Sequence, residues 1–102
     1  MKAPVVVSRA AVRDIDGILD YLTREAGHGV ATKYRQSLLQ LFALLSDQPA
    51  LGSRRPRLGR GVRVSIVASY LVIYRHFDET TNVLRVLHGR RRINAAMIKR
   101  VT

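Results

Sequence analysis

The chain contains no cysteine and no tryptophan, and aromatic residues make up only 6% of its 102 positions. Without thiols, neither a disulfide framework nor a thiolate metal site can hold it together, and an oxidising destination is not indicated. The histidines, His28, His76 and His88, are scattered without metal-ligand spacing, so no metal is expected. Gly52, Gly59 and Gly61 fit neither the dinucleotide nor the P-loop pattern, and no nucleotide cofactor is implied. Long apolar runs are also missing. Met1 to Ser8 turns charged at Arg9, too soon for a signal-peptide core or a membrane span, so a cytoplasmic location without membrane contact is the expectation. Acidic residues are scarce, seven in all.

Against those seven stand 18 lysines and arginines, a formal net charge of +11. The imbalance is lopsided. Residues 1–50 hold six basic and five acidic residues, whereas residues 51–102 hold twelve basic residues against Asp78 and Glu79 alone. Fifteen of the cations are arginine, whose planar fork suits bidentate contact with phosphates or carboxylates. A negatively charged macromolecule or an acidic protein is the partner such a balance calls for. With 47% hydrophobic residues, residues 1–102 are expected to form one domain that removes roughly 65% of its unfolded surface from water around an aliphatic core.

The pattern predicts an α+β fold. Pro4 to Val7 reads as a short β-branched strand, and Ser8 as the N-cap of a helix. From Ala10 to Ala26, Ala11, Ile15, Ile18, Leu19, Leu22 and Ala26 recur at helical steps, with Arg13, Asp14, Asp16, Asp20 and Arg24 opposite. Gly27-His28-Gly29 ends this helix, and a second runs from about Val30 to Asp47 before Pro49, closing a helical hairpin. Residues 49–61, with two prolines, three glycines and Arg54, Arg55, Arg57 and Arg60, read as a long basic loop. A three-stranded antiparallel β meander follows. Its strands are Val62 to Val67, Tyr70 to Phe77 and Val83 to His88, joined by Ala68-Ser69 and by the polar residues 78–82. Tyr70 to Phe77 is apolar on both faces and belongs at the sheet centre. After Arg90-Arg91-Arg92, the spacing of Ile93, Ala96, Met97 and Val101 indicates a short basic C-terminal helix or tail.

Several residue groups, in this order, carry a resemblance. They are Asp14 to Tyr21 (DIDGILDY), the Leu44 to Gly52 helix exit, Val62-Arg63, Tyr70 to Arg75, and Val86-Leu87-His88-Gly89-Arg90-Arg91. Together they resemble the ParE/RelE toxin superfamily over nearly the whole chain. The resemblance implies the toxin of a bacterial type II toxin-antitoxin pair, held in a hetero-oligomer by a cognate acidic, ParD-like antitoxin. The charge agrees independently, since a strongly basic half complements an acidic segment that folds on binding.

Within that superfamily, RelE-like members cut messenger RNA on the ribosome, and ParE-like members bind and poison DNA gyrase. RNA cleavage through the 2′-hydroxyl needs a base, an acid and cations for the phosphate. Arg63, Arg85 and His88 are the candidate catalytic set for this alternative, with Tyr70, Tyr74 and His76 as further proton carriers. The C-terminal tyrosine or His-Tyr that many RelE-like ribonucleases carry has no counterpart between Ile93 and Thr102. The chain therefore fits the gyrase-binding branch better, with no proton-transfer pair required and with Arg63, Arg85, Arg90, Arg91 and Arg92 as candidate target contacts. The bland alternatives are a strand-end His88 bonded to a loop backbone, Tyr70 and Tyr74 as core residues, and Leu38, Leu41, Phe42 and Leu45 as the helix-to-sheet core.

Overall fold

The computed structural model describes residues 4–99. The predicted helical position Val101 lies outside them. Strand β1 (Val5–Val7) leads into helix α1 (Arg9–Ala26), and α2 (His28–Asp47) returns beside it. Strands β2 (Ser53–Arg54), β3 (Val62–Val67), β4 (Tyr70–Phe77) and β5 (Thr80–His88) follow, then helix α3 (Ala95–Lys99). The strands form one sheet in the order β1-β5-β4-β3-β2, with β1 parallel to β5 and every other pair antiparallel. As its apolar faces require, β4 is central.

Ser8 caps α1 as expected: its Oγ accepts from the Ala11 N–H at 3.0 Å and donates to the Leu84 carbonyl at 2.9 Å, tying the helix start to β5. The break between helices needs one residue, not three. Gly27 alone adopts the left-handed conformation, at φ 96°, so His28 and Gly29 already belong to α2.

The loop after Pro49 is more ordered than its composition indicates. Ser53 and Arg54 pair with Val64 and Arg63, and Pro56–Leu58 makes a 3-10 turn with proline at its start. A two-residue strand carries no periodicity, so pattern alone does not reveal this fifth strand. The second hairpin is tighter than predicted. Asp78 and Glu79, at φ 53° and 63°, are its two central residues, the left-handed pair of a type I′ turn. Thr80 to Asn82 therefore belong to β5 rather than to the turn, and Thr81 and Asn82 pair with Val5 and Val6 of β1.

Both sheet faces are covered. The hairpin side buries Ala11, Leu38, Leu45, Val72, Tyr74, Val83 and Val86. The opposite side buries Val62, Val64, Ile73, Leu84 and Leu87 beneath Ile98 of α3. Val83 and Val86 both face the hairpin, which an odd spacing forbids in a regular strand. An irregularity in register opposite Ile73 and Tyr74 makes this possible, a bulge that also re-aims Arg85.

Candidate functional site

Arg85 points at Asp14 of α1. Its Nε donates to Asp14 Oδ2 at 2.7 Å and its Nη2 to Oδ1 at 2.9 Å, a bidentate pair with both side chains mostly buried. The hydrogen bonds to Asp14 hold the Arg85 guanidinium above its ordinary pKa, against the opposing effect of burial. The Val86 N–H also donates to Asp14 Oδ2, at 3.0 Å. β1 ends opposite Val83, so β5 lacks a strand neighbour there, and Ser8 and Asp14 supply the missing partners.

Arg63 has a comparable task. Its Nη1 donates to the carbonyls of Ala50 at 3.1 Å and Gly52 at 2.8 Å. The buried Tyr74 hydroxyl accepts from the Gly52 N–H at 2.7 Å and donates to the Pro49 carbonyl at 2.8 Å. Two side chains thus clamp the exit of α2. Tyr74 is core, as the sequence indicates, but its hydroxyl fixes the chain that leads into β2.

His88 stands edge-on to Tyr70, with ring centroids 5.4 Å apart, and Tyr70 is tilted against Tyr34 at 5.1 Å. Its Nδ1 accepts from the Arg90 N–H at 3.1 Å, the loop-backbone bond expected of a strand-end histidine. Burial pushes the Tyr34 phenol up, and the Tyr70 phenol is raised by burial and then by Tyr21. Neither serves as a ready base near neutrality. Nδ1 of His76 is bonded to Thr81 Oγ1 at 3.0 Å.

The three residues of the ribonuclease alternative line separate cavities. Arg63 lines one of about 460 Å³, Arg85 one of about 580 Å³ and His88 one of about 590 Å³. Arg90, Arg91 and Arg92 follow β5 as an exposed run, and Arg91 lines the Arg85 cavity beside Arg13 and Asn94.

A fourth cavity, about 330 Å³, lies between α1 and α2, lined by Val12, Ile15, Leu19, Leu38, Leu39 and Phe42 with Asp16 and Arg35 at its edge. Val12 and Leu39 are 45% and 57% exposed. Leu38, Leu41 and Leu45 are core, as predicted, whereas the partly buried Phe42 also walls this groove.

The helical pattern alone sets Asp14 on the polar face of α1, whereas the structure turns it onto β5. A signal was present: Ala11, Asp14 and Ile18 share a stripe at steps of three and four, and a carboxylate on a buried stripe requires a partner. Which cation that would be, 71 positions away, has no local trace. Among the described residues, no group of three or more histidine, cysteine or acidic side chains is placed to hold a metal ion.

The family model described as ParE toxin of type II toxin-antitoxin system, parDE, matches residues 5–93. Toxin ParE3 of Caulobacter vibrioides is 30% identical over 96 residues, covering 94% of this chain and 96% of its own. Toxin ParE1 of the same organism is 29% identical over 85 residues, covering 83% and 88%. A chain from the chromosomal ParDE TA system of P. aeruginosa shares the fold at a TM-score of 0.72 and 22% identity, over 85% of this chain and 96% of that one. The expected branch of the superfamily is the one these matches identify, and the chain belongs to the ParE family of type II toxin-antitoxin toxins.

Proposed function

We propose that this toxin acts by binding DNA gyrase and that a cognate acidic, ParD-like antitoxin neutralises it in a cytoplasmic hetero-oligomer. The observation that carries the reading is how the arginines divide. Arg63 and Arg85 are bonded within the fold, while Arg90, Arg91 and Arg92 leave β5 as an exposed run with no side-chain partner among the described residues. The run is therefore the principal target contact. Arg63 and Arg85 contribute by holding the α2 exit and the end of β5 in place, with only their spare donors free for a partner. The separation of Arg63, Arg85 and His88 into three cavities supports a binding mode over transfer of protons at one phosphate.

The antitoxin reading rests on the groove between α1 and α2. Its apolar walls suit the apolar face of an amphipathic segment, and Arg35, which shares the groove edge with Asp16, can pair one acidic residue of that segment. The test is a gyrase supercoiling and DNA-cleavage assay with the triple variant Arg90→Ala/Arg91→Ala/Arg92→Ala beside the unaltered toxin. Loss of inhibition in a variant that still binds antitoxin supports the reading. Unchanged inhibition by the triple variant excludes this run as the contact. If the unaltered toxin leaves gyrase untouched but cuts messenger RNA on ribosomes, the RelE-like alternative replaces it.

A further inference from the structure

We propose that the arginine-lined cavity along the loop joining β2 to β3 is a phosphate site that takes the backbone of duplex DNA. Arg54, Arg60 and Arg63 line this cavity of about 460 Å³, together with His76, Gly59 and Gly61, and no carboxylate lines it. Arg55 and Arg57 flank it in sequence, so five guanidiniums fall within ten residues. None of them is ion-paired among the described residues.

The segment is built rather than merely charged. The Arg60 carbonyl accepts from Arg75 Nε at 2.9 Å, the Gly61 carbonyl from the His76 N–H at 3.2 Å, and the Val62 carbonyl from the Arg55 N–H at 2.9 Å. Gly61, at φ 74°, leaves no room for a Cβ, which would lie 2.9 Å from the His76 carbonyl oxygen. Arg60 lies over the Phe77 ring, 5.1 Å from its centroid. Arg63, gripping two carbonyls through Nη1, retains Nε and Nη2 as donors.

Charge density decides the occupant. Duplex DNA offers a fixed negative charge about every 1.7 Å of axis, which suits a dense run of arginines on one loop. An acidic amphipathic peptide needs apolar anchors as well, and the groove between α1 and α2 provides for those. Arg60 covers the Phe77 ring, and the charged lining of the cavity is arginine, so the contact is to the backbone rather than to the bases. The inference is independent of the gyrase reading because DNA alone tests it.

The experiment is anisotropy of a short fluorescein-labelled DNA duplex of mixed sequence, titrated with full-length protein over a series of salt concentrations. The variant is Arg54→Gln/Arg60→Gln. The control, Arg24→Gln/Arg35→Gln on the helical hairpin, removes the same charge, and thermal melts establish that both remain folded. The proposal predicts that the plot of log affinity against log salt flattens by about 0.9 for each arginine removed from the loop, and by less in the control. A duplex of scrambled sequence binds equally well. Equal losses in the two variants would reduce the effect to net charge and overturn the proposal. So would a poly-glutamate probe that shows the loop dependence while DNA does not, or inorganic phosphate or a free nucleotide that occupies the loop while the duplex does not bind.

Discussion

Replacing Asp14 by alanine removes the acceptor of three hydrogen bonds and strands a charge. Arg85 and Asp14 are 19% and 13% exposed at their side chains, so water only partly compensates for a lost partner. Breaking a buried ion pair from one side costs about 3 to 5 kcal/mol. The residual exposure of Arg85 places Asp14→Ala near the lower end, about 3 kcal/mol, including the Val86 N–H left without an acceptor. At about 4–8 °C per kcal/mol for a domain of this size, melting falls by on the order of 15 °C. Asp14→Leu/Arg85→Met removes both charges and should cost clearly less than the sum of its single variants. Urea titrations at constant m value measure the free energies, and thermal melts the fall in melting temperature. Because the Arg85 pKa is raised, the stabilisation linked to its protonation is present below the arginine's ordinary value and is lost only as pH rises through the higher folded one. The deficit of Asp14→Ala should therefore not vary, on the arginine side, from about pH 5 to 9. A loss below about 0.5 kcal/mol for Asp14→Ala, or strict additivity in the double variant, means that Asp14 and Arg85 are not a coupled, buried pair.

The Tyr34 hydroxyl is buried without a partner among the described residues, so Tyr34→Phe should leave stability unchanged or raise it by up to about 1 kcal/mol in urea melts. Burial raises the phenol pKa, so unfolded chains ionise first and stability falls as pH rises above about 10; Tyr34→Phe should flatten that alkaline limb, and an unchanged limb counts against it. Gly52→Ala places a Cβ 2.7 Å from the Tyr74 hydroxyl and 2.9 Å from the Val64 carbonyl oxygen, so a cost of about 1–3 kcal/mol is expected, and a neutral result means that the α2 exit is not clamped as described. Leu39→Asp, at a residue 57% exposed, should leave thermal stability nearly unchanged yet weaken antitoxin binding at least about tenfold by calorimetry; unaltered affinity removes the helical groove from the antitoxin interface.

What the sequence made legible was local. Ser8 announced a cap, the 3.6-residue stripe of α1 its inward face, and the doubly apolar run from Tyr70 to Phe77 its central position, and β3 and β4 have the predicted limits. What stayed hidden depends on distant parts of the chain. Ser53–Arg54 becomes a strand because β3 lies beside it, and Thr80–Asn82 look like turn residues until β1 pairs with them. The same holds for the site. Arg63 and Arg85 stand out in the sequence by type and position, but their tasks are set by carbonyls 11 and 13 residues away and by a carboxylate 71 residues away, separations no periodicity encodes. Arg90 to Arg92, whose side chains have no partner among the described residues, remain the exposed run that the sequence presents.

Gyrase inhibition by binding, relieved by antitoxin, is the activity proposed for this ParE toxin. The most direct measurement is gyrase supercoiling and DNA cleavage with purified toxin, with and without its antitoxin. Inhibition is expected, with cleaved DNA trapped, reversed by stoichiometric antitoxin. Gyrase unaffected by a large excess of folded toxin, with messenger RNA cleaved on ribosomes instead, would contradict it.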